Sequence, residues 1–338
     1  MRINTKLTIG LLVLLFLAVW VTALFTLFFD TFEVRERHAG LIADSIINNR
    51  LVMPLLNYQY LSEKGDALVA GIAAVPFFLV LGPGYLSLKL TALFITVSTL
   101  VLWLAFARKY YGYLAMLFFG LFFIFSPPSF TKASLMSWGF HSQANLFIIL
   151  SLLMFSYLNF DKKGNGPKYL YLFLGLACGF GLYSVKIFAV FLAALIIFWF
   201  FIEKNFFLKF KFYFFLAGFA VGYSPGALYN IRGGKYLVQV TDMPLWKFYF
   251  DNFLLRLKGV ISTVFVDLPG SFMFSGPGNW ANYLYFGLFL FCMAVMYFGA
   301  PDKKGDAKKA LFRFMVFYLF LFAVALNFCP HTLEPKYA

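Results

Sequence analysis

The sequence LTIGLLVLLFLAVWVTALFTLFF, residues 7–29, has no charged side chain anywhere along it. A helix needs about 20 apolar residues to cross a bilayer, so this stretch is long enough to span one. It is too long for the core of a signal peptide and has no small-x-small cleavage site. We therefore expect it to stay in the chain as a membrane anchor.

The rest of the chain resembles this first stretch in composition. Hydrophobic residues make up 62% of the sequence and charged residues 12%, with a mean hydropathy of +0.82, whereas soluble domains are about half apolar and a quarter charged. We therefore predict an all-α polytopic membrane protein with a single transmembrane domain over residues 1–338. Nine spans are expected, at 7–29, 85–107, 111–127, 144–160, 169–185, 187–202, 212–230, 281–299 and 311–329.

The apolar stretch 67–82 is short for a crossing and has Pro76 in its middle. If it does not cross, the N-terminal tail and four later connections face the cytoplasm together and carry 15 Lys/Arg against 4 acids. The positive-inside tendency favours that arrangement. We predict that 67–82 is an interfacial or re-entrant helix on the outer side, beside outer segments at 30–84, 127–143 and 229–280.

A net charge of +14 does not indicate a nucleic-acid partner here, because the charges lie in short connections between spans. The three cysteines lie apart in apolar stretches, which gives neither metal-ligand spacing nor a disulfide framework. Phosphate-binding glycine loops, HExxH, CxxC and the nucleophile elbow are absent from the sequence. The predicted partner is the lipid bilayer, and residues 245–258 are predicted to lie on it as an amphipathic helix.

Acidic side chains are concentrated in residues 30–66, which hold six of the fourteen in the chain. Asp30 and Glu33 follow the first span directly and would share one face of a continuing helix. A carboxylate at the membrane surface can act as a general base toward a hydroxyl or amine, or hold a divalent cation. The alternative is that both residues only cap the span and solvate the loop.

Three basic residues in or next to apolar segments are candidates for binding an anionic group. Lys186 sits between two apolar segments and Lys89 lies four residues into the second span. Ionisable groups at membrane depth indicate a functional site, although a lysine there can instead snorkel to the interface. Arg232 emerges at the predicted outer face, where an anionic head group would suit it.

Two histidines are weaker candidates. His141, in SWGFHSQANLF (137–147), fits either a hydrogen-bonded interface residue or an acceptor or metal ligand. His38 lies in the acidic loop, where Asp30 or Glu33 could complete a metal site with it, although the spacing is not diagnostic. No cofactor is indicated beyond a divalent cation, and the identity of the metal is unknown.

Several motifs follow one another in a recognisable order. The first span and the acids precede EKG (63–65), a short apolar helix ending in Gly82, Lys89 and ARKYYG (107–112); the later landmarks are FSPPSF (125–130), GLYSVKIF (181–188) and GYSPGALYN (222–230). This order resembles the C superfamily of polytopic glycosyltransferases (GT-C), especially bacterial relatives of the protein O-mannosyltransferases and aminoarabinose transferases.

The resemblance implies an enzyme that moves a sugar from a polyprenyl-phosphate carrier to a lipid, glycan or protein acceptor on the outer face. Glu33 is nearest to the family's acidic pair, with Asp30 just upstream, so the resemblance makes these two the catalytic residues. Lys186 matches the family's lysine in this turn, and Lys336, in EPKYA (334–338), matches a basic-Tyr motif near the donor site. The expected donor phosphate-binding set is Lys64, Lys186, Arg232 and Lys336.

The sequence also departs from the family pattern. Asp30 and Glu33 are separated by two residues where the family's acids are adjacent, and the region of His141 stands where a second acid is common. Family members continue past the position of Ala338, so we expect further C-terminal spans. A transporter or flippase of a lipid-linked substrate and a non-catalytic scaffold stay open as alternatives. The expected location is a bacterial plasma membrane, with a cytoplasmic N-terminus.

Overall fold

A computed structural model of the chain describes residues 5–29, 36–60, 67–137, 140–162, 164, 166–232, 280–298 and 305–327. Every regular element in these ranges is a helix, as the predicted all-α class requires. The α-helices are α1 (Thr5–Ala23), α2 (Glu36–Ile47), α3 (Ala67–Leu81), α4 (Tyr85–Tyr110), α5 (Tyr113–Ile124), α6 (Pro128–Ser134), α7 (Phe140–Ser156), α8 (Lys168–Ser184), α9 (Phe188–Ile202), α10 (Phe210–Ile231), α11 (Trp280–Phe298) and α12 (Gly305–Asn327). Short π-helical and 3-10 turns occur at Leu24–Phe28, Leu55–Tyr60, Tyr157–Asp161 and Phe206–Leu208.

Glycine and proline set several helix ends. Gly82 and Gly112, with φ of 80° and 95°, follow α3 and α4 in the left-handed conformation that glycine adopts without strain. Pro127 and Pro128 follow the end of α5, and Pro167 precedes α8, where its fixed φ and missing N–H do no harm. These residues explain where several of the helices begin and end.

Within the described ranges, three helices are long and apolar enough to cross a membrane, at Thr5–Phe28, Tyr85–Tyr110 and Gln143–Asp161. The same ranges contain four shorter apolar helices, at Ala67–Leu81, Tyr113–Ile124, Phe188–Ile202 and Tyr283–Phe298. The count of nine spans is not confirmed by these lengths and stays a prediction. A membrane location also suits α1, because Leu7, Leu11 and Leu14 on it are 57–63% exposed.

The chain divides into two compact units, one of residues 1–25, 100–133 and 244–338 and the other of residues 26–99 and 134–243. In the first unit, α1 packs against α5 around Phe16 and Trp20, both fully buried. The Trp20 indole N–H donates to the carbonyl of Ile124 at 2.9 Å. Gly120 of α5 accommodates Leu12, because a Cβ at this position would lie 3.0 Å from that side chain.

The second unit is built around α7, α8, α9 and α10. The Sγ of Cys178 lies 3.6 Å from the Ser151 hydroxyl, and Gly181 faces Phe147, so α7 and α8 run antiparallel. The ring of Trp199 near the end of α9 stacks on that of Tyr171 near the start of α8, at a centroid distance of 6.0 Å. The start of α8 therefore lies with the ends of α7 and α9 at one end of this unit.

Four glycines bring α8 and α10 into backbone contact, and the contact is parallel. A Cβ at Gly175 would lie 2.0 Å from the carbonyl oxygen of Phe215, and one at Gly179 would lie 2.3 Å from that of Phe219. Gly218 and Gly222 meet α8 in the same way, at 2.0 and 2.5 Å from its carbonyl oxygens. The pair of glycines four apart on α10 is thus matched by a second pair on α8.

The predicted short helix after the acidic loop is confirmed as α3, and it packs along α2. Gly71 permits the approach, since a Cβ there would lie 2.7 Å from the Ile42 side chain. The Tyr183 hydroxyl, in the last turn of α8, donates to the carbonyl of Leu56 at 2.6 Å. This places the first-loop helices at the end of the unit opposite to the connections at 161–168 and 203–211. The membrane sidedness inferred from the charges stays a prediction.

Candidate functional site

A buried ion pair joins α2 to α4. The Lys89 ammonium donates to both oxygens of Glu36, at 2.9 and 3.2 Å, and the two side chains are 1% and 0% exposed. The backbone N–H of Ser137 donates to Glu36 Oε2 at 3.0 Å. The carboxylate therefore holds three elements together, since Ser137 lies between α6 and α7.

The local sequence explains how these groups come to be inside. Glu36 is the first residue of α2, where a carboxylate interacts favourably with the positive end of the helix dipole. The side of α2 with Ala39, Ile42 and Ala43 is buried, so the start of that side carries Glu36 inward. Lys89 occupies the second turn of α4, next to the buried Leu88.

Complete burial limits what this carboxylate can do. A general base must come within hydrogen-bond reach of the acceptor proton, and Glu36 is closed to solvent and already accepts three hydrogen bonds. Removing either partner of a buried pair leaves an uncompensated charge. In this arrangement Glu36 and Lys89 fix the positions of α2, α4 and the segment at Ser137 relative to one another.

A shallow cavity of about 400 Å³ lies beside this pair. Its charged members are Arg37 and Asp44 of α2, and its floor includes Gly40, Phe78 and Leu88. Asp44 Oδ1 accepts a hydrogen bond from the Asn48 side-chain amide at 2.9 Å. The cavity thus presents one cation and one anion above an apolar surface.

A second cavity, of about 450 Å³, lies between the first-loop 3-10 turn and the end of α10. Its polar lining consists of Asn57, Tyr229 and Arg232, and its apolar lining of Pro54, Leu56, Pro225 and Leu228. Arg232 follows the last turn of α10, and its N–H donates to the carbonyl of Leu228 at 3.1 Å. A cation is favoured at a helix C-terminus by the dipole alone, so Arg232 has a structural reason to lie there as well as a functional one.

The structure places the remaining predicted residues unevenly. Lys186 is half-buried in the turn between α8 and α9, His38 is half-buried on α2, and His141 lies in the first turn of α7. Asp30, Glu33, Lys64, Lys336 and the predicted amphipathic helix at 245–258 lie outside the described residues. Among the residues that are described, no three His, Cys, Asp or Glu side chains cluster closely enough to hold a metal ion.

The sequence indicates only one partner of the buried ion pair. It points to Lys89 as a candidate, but presents Glu36 only as one of six acids in the loop. The available signal was a single acid at the start of an amphipathic segment, with a lone lysine inside an apolar one.

Searches against protein-family models, curated proteins and solved structures find no significant match to this chain.

Proposed function

We propose that this protein is a membrane glycosyltransferase that moves a sugar from a polyprenyl-phosphate-linked donor to an acceptor at the outer membrane face. The observation that carries the proposal is the cavity that Arg232 lines together with Pro54, Leu56 and Asn57 of the first loop. It supports a site formed jointly by the acidic loop and a cation at the end of α10. An arginine is well suited to phosphate oxygens, which it can bind through two parallel hydrogen bonds.

The proposed reaction requires a base for the acceptor and cations for the leaving phosphate. The bond from the sugar's anomeric carbon to the carrier phosphate breaks, the acceptor oxygen or nitrogen forms the new bond, and the carrier leaves as a phosphate monoester. Asp30 or Glu33 takes the acceptor proton, and cations stabilise the charge that develops on the leaving phosphate. Arg232 and Lys186 are described cations proposed for this role, and Lys64 and Lys336 are further candidates.

The location follows from the same proposal. The acidic loop, α2 and α3 lie at the outer surface, the connections at 161–168 and 203–211 face the cytoplasm, and the carrier's apolar chain lies among the helices. The nine spans, the plasma membrane and the cytoplasmic N-terminus are all part of this proposal. A divalent cation held by the loop carboxylates is compatible with it.

The test is a transfer assay on the purified full chain with a radiolabelled polyprenyl-phosphate hexose or pentose. Asp30→Asn or Glu33→Gln should abolish transfer of label, while Arg232→Gln should mainly raise the KM for the donor. Glu203→Gln is the matched control, because it neutralises a carboxylate at the opposite end of the second unit. Transfer that survives in both single variants and in the double variant would show that these carboxylates are not the base.

A further inference from the structure

One end of the second unit is strongly basic. Its described residues include five lysines at the ends and connections of α7 to α10: Lys162, Lys168, Lys204, Lys209 and Lys211. We call this group the basic end. Four of its lysines are exposed and Lys211 is half-buried.

The two described acids at this end, Asp161 and Glu203, neutralise only part of this charge. The Glu203 carboxylate accepts hydrogen bonds from the Lys209 and Lys211 ammonium groups. Burial by itself raises the pKa of Glu203, but the two lysine donors outweigh it and hold the pKa below its usual value. Within the described part of the chain, Lys162, Lys168 and Lys204 form no ion pair.

Two helix N-termini add to the positive potential. Because α8 and α10 are parallel, both begin at the basic end, and each helix start carries partial positive charge. Their N-cap residues are Pro167 and Lys209, neither of which provides a side-chain cap, and neither helix has an acidic residue in its first turn. Helix starts usually carry Asp, Glu, Ser or Thr, so lysines here leave a surplus of positive charge that an anion would relieve.

Exposed aromatic rings surround these lysines. Tyr169, Phe210 and Tyr213 are 54–66% exposed, and the Lys168 ammonium lies 5.1 Å from the centroid of the Phe210 ring. Aromatic side chains next to lysines are typical of the boundary between acyl chains and head groups. A soluble anion would not account for the apolar part of this surface.

We propose that the basic end binds the phosphate head groups of anionic phospholipids. The lysines and the two helix starts contact the phosphate, and the exposed rings lie against the upper acyl chains. The proposal does not depend on the proposed glycosyltransferase activity, since it concerns the end of the unit away from the Arg232 cavity.

The experiment measures the thermal unfolding midpoint of the full chain in neutral detergent, titrated with phosphatidylglycerol or with phosphatidylcholine. Phosphatidylglycerol should raise the midpoint more than phosphatidylcholine, and added salt should shrink the difference. Each lysine removed near a charged lipid surface should weaken the apparent affinity about fivefold. Lys168→Gln with Lys209→Gln should therefore shift the half-saturating concentration about 25-fold, while the double arginine variant should keep it.

The matched control is Arg50→Gln. Arg50 is also exposed, but it follows α2 in the first loop, at the end of the second unit opposite to the basic end. Its replacement should leave the response to phosphatidylglycerol unchanged. Equal responses of the wild-type chain to the two lipids would overturn the proposal, and so would an undiminished response in the double glutamine variant. An equal midpoint shift with inorganic phosphate would identify a free-anion site instead.

Discussion

At the scale of single residues, the decisive contact is that between Glu36 and Lys89. These residues are 53 positions apart in the chain and become fully buried together. Sequence patterns treat each charge alone, so a lysine in an apolar segment indicates either a site or a snorkelling side chain. The structure adds the third possibility, in which a distant carboxylate neutralises the lysine inside the protein.

We expect Lys89→Met to destabilise the fold by about 3–5 kcal/mol, because it leaves the Glu36 carboxylate buried without a counter-charge. Glu36→Gln should cost a similar amount through the unpaired ammonium. The double variant should be more stable than the two single effects added together predict, since it leaves no buried charge. Unfolding of the purified variants in denaturant measures all three.

Glu203→Gln provides the comparison for these variants. It removes a carboxylate that pairs with Lys209, which is 52% exposed, and with Lys211, which is 11% exposed. Because solvent reaches this cluster and does not reach Glu36 and Lys89, its loss should cost less than the loss of the buried pair. A loss from Lys89→Met as small as that from Glu203→Gln would contradict the burial of the Glu36–Lys89 pair.

At the scale of helices, the glycines of α8 and α10 carry the most specific packing. Gly218 and Gly222 could be recognised in the sequence as a contact surface, because small residues four apart lie on one helix face. Their partners Gly175 and Gly179 could not be assigned, since the spacing does not say which helix is met or in which direction it runs. Similarly, α5 is shorter than the span predicted at 111–127 because Gly112 and Pro127 lie inside that range.

We expect Gly218→Ala to destabilise the second unit by at least about 3 kcal/mol, the upper end of ordinary overpacking. The new methyl group would lie 2.0 Å from the Leu172 carbonyl oxygen, so the two backbones must separate. Gly10→Ala is the control, because that helical position has no atom within 4 Å of the added Cβ. There the exchange should stabilise α1 by up to about 1 kcal/mol through helix propensity. Thermal unfolding of both variants measures the difference. If Gly218→Ala unfolded at the same temperature as Gly10→Ala, α8 and α10 would not be in backbone contact.

At the scale of the whole chain, composition and charge patterning sufficed for the helical class and for α3, whereas the membrane topology that they indicate stays a prediction. They did not yield the division into two units, because that depends on which helix faces meet. They also could not locate the cavity with Arg232, which needs α10 and the first loop to come together. The residues proposed for catalysis, Asp30 and Glu33, lie outside the described part and stay a prediction.

Sidedness can be tested by cysteine labelling in intact cells. Val52→Cys, at a position 95% exposed in the first loop, should react with a membrane-impermeant maleimide added outside. Leu208→Cys, at a position 80% exposed between α9 and α10, should react only after the cells are permeabilised. The chain without added cysteines corrects for background from the native thiols. The reverse labelling pattern would invert the proposed topology.

The parallel contact of α8 with α10 also constrains the order of events during synthesis. Ribosomes release α8 first, then α9, and the complementary surface of α10 only afterwards. Until α10 has been made, the glycine surface of α8 has no native partner helix. The helix α9 must also run back along the bundle before α10 can reach that surface. Variants that lengthen this wait, for instance by slowing translation between α9 and α10, would therefore act on the yield of folded protein while leaving the stability of the finished molecule unchanged.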